Sequence, residues 1–453
     1  MFGFAGQCVR MSIASMLVCK NATKFAYTTI TDTSFKIKSG EYIHATLTET
    51  VALSQIYKID ILFARSFRPD MMNGRRLSEL HTNILTLRVA YANSSSMYSE
   101  MELSEGIWGN SHRSVQSVFY ESSYGAIKFL KNMSDIRTIV LETSAELTYI
   151  RTNGCFIQRL LGMVDKEATL GSNIDLETFS HIEYIIPRDY GSTCESDVGE
   201  GAGSTMCTKP NCFTFIRSPT VYTRLHELGH NYNLNHAYGC GLNRSACSTA
   251  NMLEYGDATA IMGGRFSRDT TGGFIAPNRI NVGWLNNITE FEADGRFEIG
   301  ALAAWPSEKP HVIRIPTTCP STIGIFIGDA CEIIMSYRVP TGIDVDIREA
   351  YYSGTVSIHI QAVKKEFEQA SNTLLLVSLG KGESFRISTG QMIFVSEAHQ
   401  THTVVTVCHP SSIAEYCTTS QLQVVWIVVI AVLAAVTVLV VCIAVKFRNR
   451  SRK

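Results

Sequence analysis

The sequence predicts an α+β fold in which a mixed domain is followed by an all-β, sandwich-like domain and one transmembrane helix. Strand-like and helix-like runs alternate as far as about residue 290, which is typical of a twisted sheet backed by helices. From about residue 291 the runs are short and separated by turn residues, as in a β sandwich or barrel. An apolar run of 22 residues then spans 424–445. The predicted segments are 1–75 (leader or pro-region), 76–290, 291–420, 424–445 and 446–453.

In the mixed domain, period-2 and period-3.6 runs alternate along the chain. The strand-like runs are 82–91, 138–142 and 182–186, and the helix-like runs are 114–120 and 156–164. Residues 188–211, rich in Gly, Ser and Cys, read as a long loop. Loops of that length are usually functional, so we expect this one to form the rim of a cleft along a sheet edge. An insertion that touches no ligand is the alternative.

The second region contains six runs that alternate apolar and polar residues, as half-buried strands do. They are residues 311–315, 323–327, 332–337, 355–363, 373–379 and 401–408. No cluster of ligand or nucleophile residues lies among them in the sequence. We therefore expect a spacer or a recognition module rather than a second reactive site.

Composition limits the classes of partner. The chain has 453 residues, enough for two or three domains, and its 40 basic and 41 acidic residues nearly cancel. A protein that binds a polyanion commonly shows a basic excess, so we expect no nucleic-acid partner. The sequence does not determine the oligomeric state.

Residues 424–445 predict a single membrane span, with a buried core helix as the alternative. The basic residues that follow place the C-terminus in the cytosol. These are Lys446, Arg448, Arg450, Arg452 and Lys453. The expectation is a type I protein of the plasma membrane or another secretory-pathway membrane, with the bulk of the chain extracellular or lumenal. The N-terminal targeting signal is weak, because Lys20 interrupts the short apolar stretch of residues 11–19.

Cysteines and glycosylation motifs agree with a secretory route. Ten cysteines lie between residue 155 and residue 417, an even number consistent with five disulfides of open connectivity. A bond between Cys240 and Cys247 is a hypothesis that rests on their proximity in sequence. Asn-X-Ser/Thr motifs, which predict a glycoprotein, occur at Asn21, Asn93, Asn132, Asn243 and Asn287.

The segment most informative about chemistry is residues 226–236, which read His-Glu-Leu-Gly-His-Asn-Tyr-Asn-Leu-Asn-His. On a helix, His226 and His230 lie four residues apart on one face, which suits two ligands of one Zn²⁺ ion. Glu227 follows the first of them and is well placed to take a proton from water at the metal. We interpret Glu227 as a general base.

A third ligand requires the helix to end. His236 comes six residues after His230, too far round a continuous helix to reach the same ion. Asn233 is the expected hinge, because Asn adopts the left-handed conformation more readily than most residues. Three neutral imidazoles leave the fourth position of Zn²⁺ open for water, as in a catalytic site.

Two further features concern the helix itself. Ser218 and Pro219 predict its start, with Ser218 as N-cap and Pro219 at the first helical position. Gly229, inside the helix, costs about 1 kcal/mol relative to Ala. This cost indicates that another segment packs closely there.

The motif resembles that of the metzincin metallopeptidases, His-Glu-x-x-His-x-x-Gly-x-x-His followed by a turn that contains Met, although Asn233 stands where Gly is usual. The resemblance implies a zincin-like (metzincin) catalytic domain in which Met262 supports the zinc ligands from below. Within the metzincins, the chain is most similar to the gametolysin family, over about residues 80–345. The stretches that carry this similarity are 117–125, 255–257, 276–279, 283–284 and 336–338.

This resemblance implies a membrane-anchored, extracellular zinc metalloendopeptidase that cleaves surface or matrix proteins. Tyr232 and Tyr255 are candidates to stabilise the oxyanion, each with a purely structural role as the alternative. A second hypothesis is an ectodomain that keeps the fold with weak or no activity and acts in adhesion or binding. A zinc enzyme with a non-peptide substrate is a third.

Overall fold

The computed structural model describes five strands within residues 1–76, most of residues 80–409, and residue 411. Within 80–409 the gaps are 93, 95–97, 110–112, 154–156, 188–200, 204–211, 242–245, 249, 264–271, 305–306, 321–324, 327–329, 346, 348–352 and 364–371. The predicted membrane span, residues 424–445, and the basic tail lie outside the described residues. In the part that is described, no helix is long and apolar enough to cross a bilayer.

The chain divides into two compact units, Met1–Arg76 and Leu77–Lys453. The first contains an antiparallel sheet in the order β3-β2-β1-β4-β5. Its strands are Ala5–Met11 (β1), Met16–Lys20 (β2), Tyr27–Thr29 (β3), Ile43–Leu47 (β4) and Ile59–Leu62 (β5).

In the second unit, strands and helices alternate up to residue 290, and each of the five runs predicted there is confirmed within a few residues. The strands are Leu80–Thr82 (β6), Ile84–Tyr91 (β7), Ile127–Phe129 (β8), Asp135–Leu141 (β9), His181–Ile185 (β10), Gly201–Gly203 (β11), Cys212–Ile216 (β12), Ala237–Tyr238 (β13) and Ile288–Glu290 (β14). The helices are Glu100–Trp108 (α1), Val115–Ser122 (α2), Ala145–Asn153 (α3), Ile157–Lys166 (α4), Val221–Asn231 (α5) and Ala276–Asn281 (α6).

A five-stranded sheet in the order β11-β12-β10-β7-β9 forms the centre of this part. Four of its strands are parallel, and β11 runs antiparallel at one edge. Both faces of β7 are buried: Leu85, Leu87 and Val89 share a core with α3 and α4, while Ile84 shares a core with α2 and α5. Helices therefore cover both faces of the sheet, as a parallel sheet requires.

Two expectations are corrected here. Helix α5 begins at Val221 with Thr220 as its N-cap, not with Ser218, because the Thr220 hydroxyl accepts the Thr223 N–H at 3.1 Å. Residues 188–211 are not entirely loop, since they contain β11. Its Gly-Ala-Gly sequence has no alternating apolar pattern from which a strand could be predicted.

In the described residues after 290 there are eight strands. They are Gly295–Gly300 (β15), Val312–Thr318 (β16), Ala330–Arg338 (β17), Thr355–Ala362 (β18), Thr373–Leu379 (β19), Ser384–Arg386 (β20), Met392–Ala398 (β21) and His402–Cys408 (β22). Five of the six predicted runs are confirmed; residues 325–326, the described part of the sixth, are not in a strand. A four-stranded sheet, β15-β22-β21-β20, shares one apolar core with a six-stranded sheet that contains β16–β19.

The six-stranded sheet has the order β13-β19-β18-β17-β16-β14, so it includes two strands that precede residue 291. β13 pairs with β19 in parallel, Ala237 opposite Thr373 and Tyr238 opposite Leu374. The chain segment that directly follows His236 is therefore hydrogen-bonded to the β-rich region. Near this junction the hypothesised disulfide Cys240–Cys247 is confirmed, and among the described residues Cys319 is also joined to Cys331.

Candidate metal centre

Helix α5 carries three of the residues singled out in the sequence: His226, Glu227 and His230. Its attachment to the sheet is polar as well as apolar. Arg224, fully buried, donates to Glu183 of β10 at 2.6 Å and to the Leu103 carbonyl at 2.8 Å. A buried ion pair that lacked one partner would be strongly destabilising, so this pair specifies how α5 lies on the sheet.

The chain reverses direction directly after α5. Asn233 has a φ of 65°, in the left-handed region, as the predicted hinge requires. The Leu234 N–H returns to the Gly229 carbonyl at 3.0 Å, which closes the helix end. This turn brings His236 back beside the two histidines of α5.

The three histidines form one cluster. One ring nitrogen from each of His226, His230 and His236 lies within 4.8 Å of those from the other two. The Nε2 atoms of His230 and His236 are 3.2 Å apart. Two nitrogens bound to one tetrahedral Zn²⁺ at its usual bond length are separated by about 3.3 Å.

The other nitrogen of each ring has an acceptor. Nδ1 lies 2.9 Å from the Ile261 carbonyl in His226, and 2.8 Å from the Leu234 carbonyl in His230. In His236 it lies 2.6 Å from Oε1 of Glu254. Because carbonyl and carboxylate oxygens only accept, each Nδ1 carries the proton and each Nε2 keeps its lone pair. Lone pairs that converge at this distance repel unless a cation lies between them, so the donor set fits a metal ion.

Burial keeps these imidazoles neutral, as metal ligands must be. Desolvation lowers the pKa of His226 to about 3 and that of His230 to about 4. The pKa of His236 is also lowered by desolvation, although the Glu254 carboxylate opposes the shift. Desolvation raises the pKa of Glu227 to about 8. A cation at the cluster would favour the ionised carboxylate and lower that value.

Residues 257–263, which we call the floor turn, pack against α5 and contact His226. Met262 is fully buried, and a Cβ at Gly229 would overlap its sulfur. The close packing predicted at Gly229 is thus confirmed, with Met262 as the neighbour. The Tyr222 hydroxyl donates to the carbonyls of Ile261 at 2.8 Å and of Gly263 at 3.0 Å, which attaches the floor turn to α5.

The two candidate tyrosines are in different surroundings. The Tyr232 ring packs in the core, 5.2 Å from that of Phe119 and 5.8 Å from that of Trp284. The Tyr255 ring has its centroid 4.0 Å from that of His236. Tyr255 also has a φ of 60°, a conformation that costs a non-glycine residue energy and that is concentrated at functional sites.

Sequence reasoning missed the groups that orient the histidines. Glu254 precedes the floor turn in the sequence, but only its distance of 2.6 Å from His236 indicates a role. The carbonyls of Leu234 and Ile261 carry no sequence signal at all, since every residue has one.

The family model described as "Gametolysin peptidase M11" matches residues 106–363, more than half of the chain. The matched range contains all three histidines and continues to β18. No curated protein matches the chain. A solved structure titled "Structure of a chaperone-substrate complex" has a TM-score of 0.21 at 15% identity and covers 53% of this chain. This chain covers 33% of that one, and so low a TM-score supports no argument about fold.

Proposed function

This chain belongs to the gametolysin peptidase family, and on that premise we propose that it is a membrane-anchored zinc endopeptidase that cleaves surface or matrix proteins outside the cell. Family membership makes it a peptidase. The observation that supports zinc is the histidine cluster, in which every Nδ1 has an acceptor and two Nε2 atoms converge at 3.2 Å.

In this proposal His226, His230 and His236 hold the ion. A bound zinc ion supplies Lewis acidity, which polarises a peptide carbonyl and makes water more acidic. Glu227 takes a proton from the attacking water and delivers it to the nitrogen of the leaving amine. Its carboxylate is buried, and burial raises its pKa in the metal-free chain, whereas a bound cation would lower that pKa. These opposed effects suit a group that must both accept and release a proton near neutral pH.

The edge of the five-stranded sheet offers a place for the substrate backbone. β11 is antiparallel to β12 and contacts α5, and within the described ranges no strand pairs with its outer edge. An extended peptide that added to this edge would form main-chain hydrogen bonds and lie along the helix that carries Glu227. Tyr255, beside His236, is the better of the two candidates to stabilise charge on the carbonyl oxygen.

A fluorogenic peptide assay on the purified full-length chain tests the hydrolase. We expect turnover that a chelator removes and zinc restores, and a loss of at least about 100-fold in kcat for Glu227→Gln with zinc still bound. Glu146→Gln, an exposed carboxylate on α3, is the matched control and should keep full activity. Equal turnover by wild type and Glu227→Gln would exclude this mechanism, and zinc binding without turnover would favour a binding ectodomain.

The anchor and the substrate class need separate measurements. Membrane extraction at alkaline pH should leave the full chain in the pellet and release a chain that ends at residue 420. Comparison of the peptides released from intact cells by wild type and by Glu227→Gln would identify the substrates. Cleavage confined to intracellular proteins would contradict the proposed location.

A further inference from the structure

Asp257 organises the first half of the floor turn. Its Oδ1 accepts the Thr259 N–H at 2.9 Å and the Thr259 hydroxyl at 2.6 Å. Both residues are fully buried. A carboxylate that bonds the backbone two residues ahead fixes a tight turn, so the position of Asp257 sets the conformation of the residues that follow.

The second oxygen of Asp257 is held by the β-rich region. Nε2 of His359 in β18 lies 3.0 Å from Oδ2 of Asp257, and neither side chain is exposed to solvent. The pairing of β18 with β19 shifts register between Ile358 and His359. A bulge of this kind redirects a side chain, which here is the one that reaches the floor turn.

A second residue of the same sheet makes a parallel connection. Arg338, at the end of β17, donates from Nη1 to the Thr259 carbonyl at 2.6 Å. Its guanidinium is fixed by a buried ion pair with Asp344. The side chain of Thr259 is thus connected to β18 through Asp257 and His359. Its carbonyl is bonded directly to Arg338 of the adjacent strand, β17.

The floor turn in turn contacts the histidines. The Ile261 carbonyl is the acceptor for Nδ1 of His226, at 2.9 Å. The Met262 carbonyl accepts the N–H of Ala237, the residue after His236, also at 2.9 Å. A displacement of the floor turn would therefore rotate the His226 ring and shift the backbone next to His236.

We propose that His359 and Arg338 are positioning residues for the metal centre. By holding the floor turn through Asp257 and Thr259, they orient the imidazoles of His226 and His236. The six-stranded sheet thus supports the metal centre and is not merely a spacer. This inference rests on the proposed binding of zinc by the three histidines. Buried polar pairs contribute little net stability compared with apolar packing, so a role in orientation explains the His359–Asp257 pair better than stability does.

Substitutions at His359 in the full-length chain test its proposed positioning role. His359→Leu removes the donor, while His359→Gln keeps an N–H near the position of Nε2. We expect His359→Leu to weaken zinc affinity about 10-fold, measured by competition with a chromophoric chelator, and His359→Gln to stay near wild type. Saturating zinc should return kcat of His359→Leu towards the wild-type value. Because zinc would also rescue a partly unfolded variant, circular dichroism of the metal-free variant should show that it is folded under the assay conditions.

Gln361→Leu is the matched control. Gln361 lies two residues further along β18, is equally buried, and bonds Glu332 and Asn281 rather than the floor turn. It should lower the melting temperature without changing zinc affinity. If both leucine variants lose affinity in proportion to stability, or if His359→Leu keeps wild-type affinity, the positioning role is wrong.

Two outcomes separate this inference from the proposed function. A wild-type chain that binds no zinc would overturn both, whereas a zinc-binding wild type with an unaffected His359→Leu would overturn the inference alone. If His359→Leu does not fold, Thr259→Val replaces it, since this nearly isosteric change removes one hydrogen bond to the same carboxylate. Unchanged zinc affinity in Thr259→Val would then contradict the proposal.

Discussion

The sulfur of Met262 occupies the space beside Gly229 that a side chain at that position would need. A Cβ at residue 229 would overlap Sδ of Met262 and lie 3.3 Å from its Cε and 3.4 Å from the Phe274 ring. The absence of a side chain on one helical residue thus sets how closely the floor turn approaches the helix that carries His226 and His230.

Gly229→Ala should therefore destabilise the protein although Ala is the better helix former. We expect the clash to exceed the gain in helix propensity of about 1 kcal/mol and to give a net loss of about 1–3 kcal/mol in the free energy of unfolding. Chemical denaturation measures it, and zinc affinity should fall as well because the floor turn is displaced.

Gly162→Ala in α4 is the control for that experiment. A Cβ there meets nothing within 4 Å, so the substitution should raise the free energy of unfolding by up to about 1 kcal/mol. If Gly229→Ala stabilised the protein as much as Gly162→Ala does, Met262 would not lie as close to residue 229 as the structure shows.

Asn233 should tolerate glycine and reject a branched side chain. Its φ of 65° costs an ordinary L-residue about 1–2 kcal/mol, a cost that Gly avoids and Asn reduces. We expect Asn233→Gly to keep wild-type zinc affinity, and Asn233→Val to lose both stability and affinity. Equal zinc affinity in the two variants would show that the turn does not position His236.

Glu254 should contribute to metal affinity without binding the metal. Its carboxylate accepts from Nδ1 of His236 at 2.6 Å, which fixes the tautomer and raises the basicity of the ring. Glu254→Gln should weaken zinc binding about 10-fold or more, as measured by chelator competition, with little change in melting temperature of the metal-free protein. The exposed Glu146→Gln should leave the affinity unchanged.

His181 should make stability depend on pH. Desolvation lowers its pKa to about 4 in the folded chain, compared with 6.5 for the unperturbed group. Between these values the unfolded state binds a proton that the folded state does not, so the free energy of unfolding falls as pH falls. The contribution of neutral His181 to the free energy of unfolding is fully present above about pH 6.5. It falls by up to about 1.4 kcal/mol per pH unit between that pH and about pH 4.

The variant His181→Asn isolates that contribution, because Asn does not titrate and can still accept from Asn231. Its free energy of unfolding should change less steeply with pH than that of the wild type between pH 6.5 and 4, and in parallel with it between pH 7 and 8. Identical slopes below pH 6.5 would show that His181 is not held neutral.

Much of the mixed domain could be predicted because its signals are local. The alternation in 182–186 and the helical spacing of 156–164 each depend on neighbouring residues, and β10 and α4 formed there. The predicted N-cap of α5 was wrong because Ser and Thr are both good N-cap residues. Only the hydrogen bond from the Thr223 N–H to the Thr220 hydroxyl distinguishes Thr220 from Ser218.

By itself the sequence determined the four-residue spacing of His226 and His230, the residue able to reverse the chain at 233, and the family to which the chain belongs. Tertiary structure alone decided that Glu254, Asp257 and His359 support the site. The physical reason is range: helical spacing and turn preference are set by adjacent residues, whereas the Asp257–His359 bond joins groups 102 residues apart, which only the packing of the six-stranded sheet against the floor turn brings together.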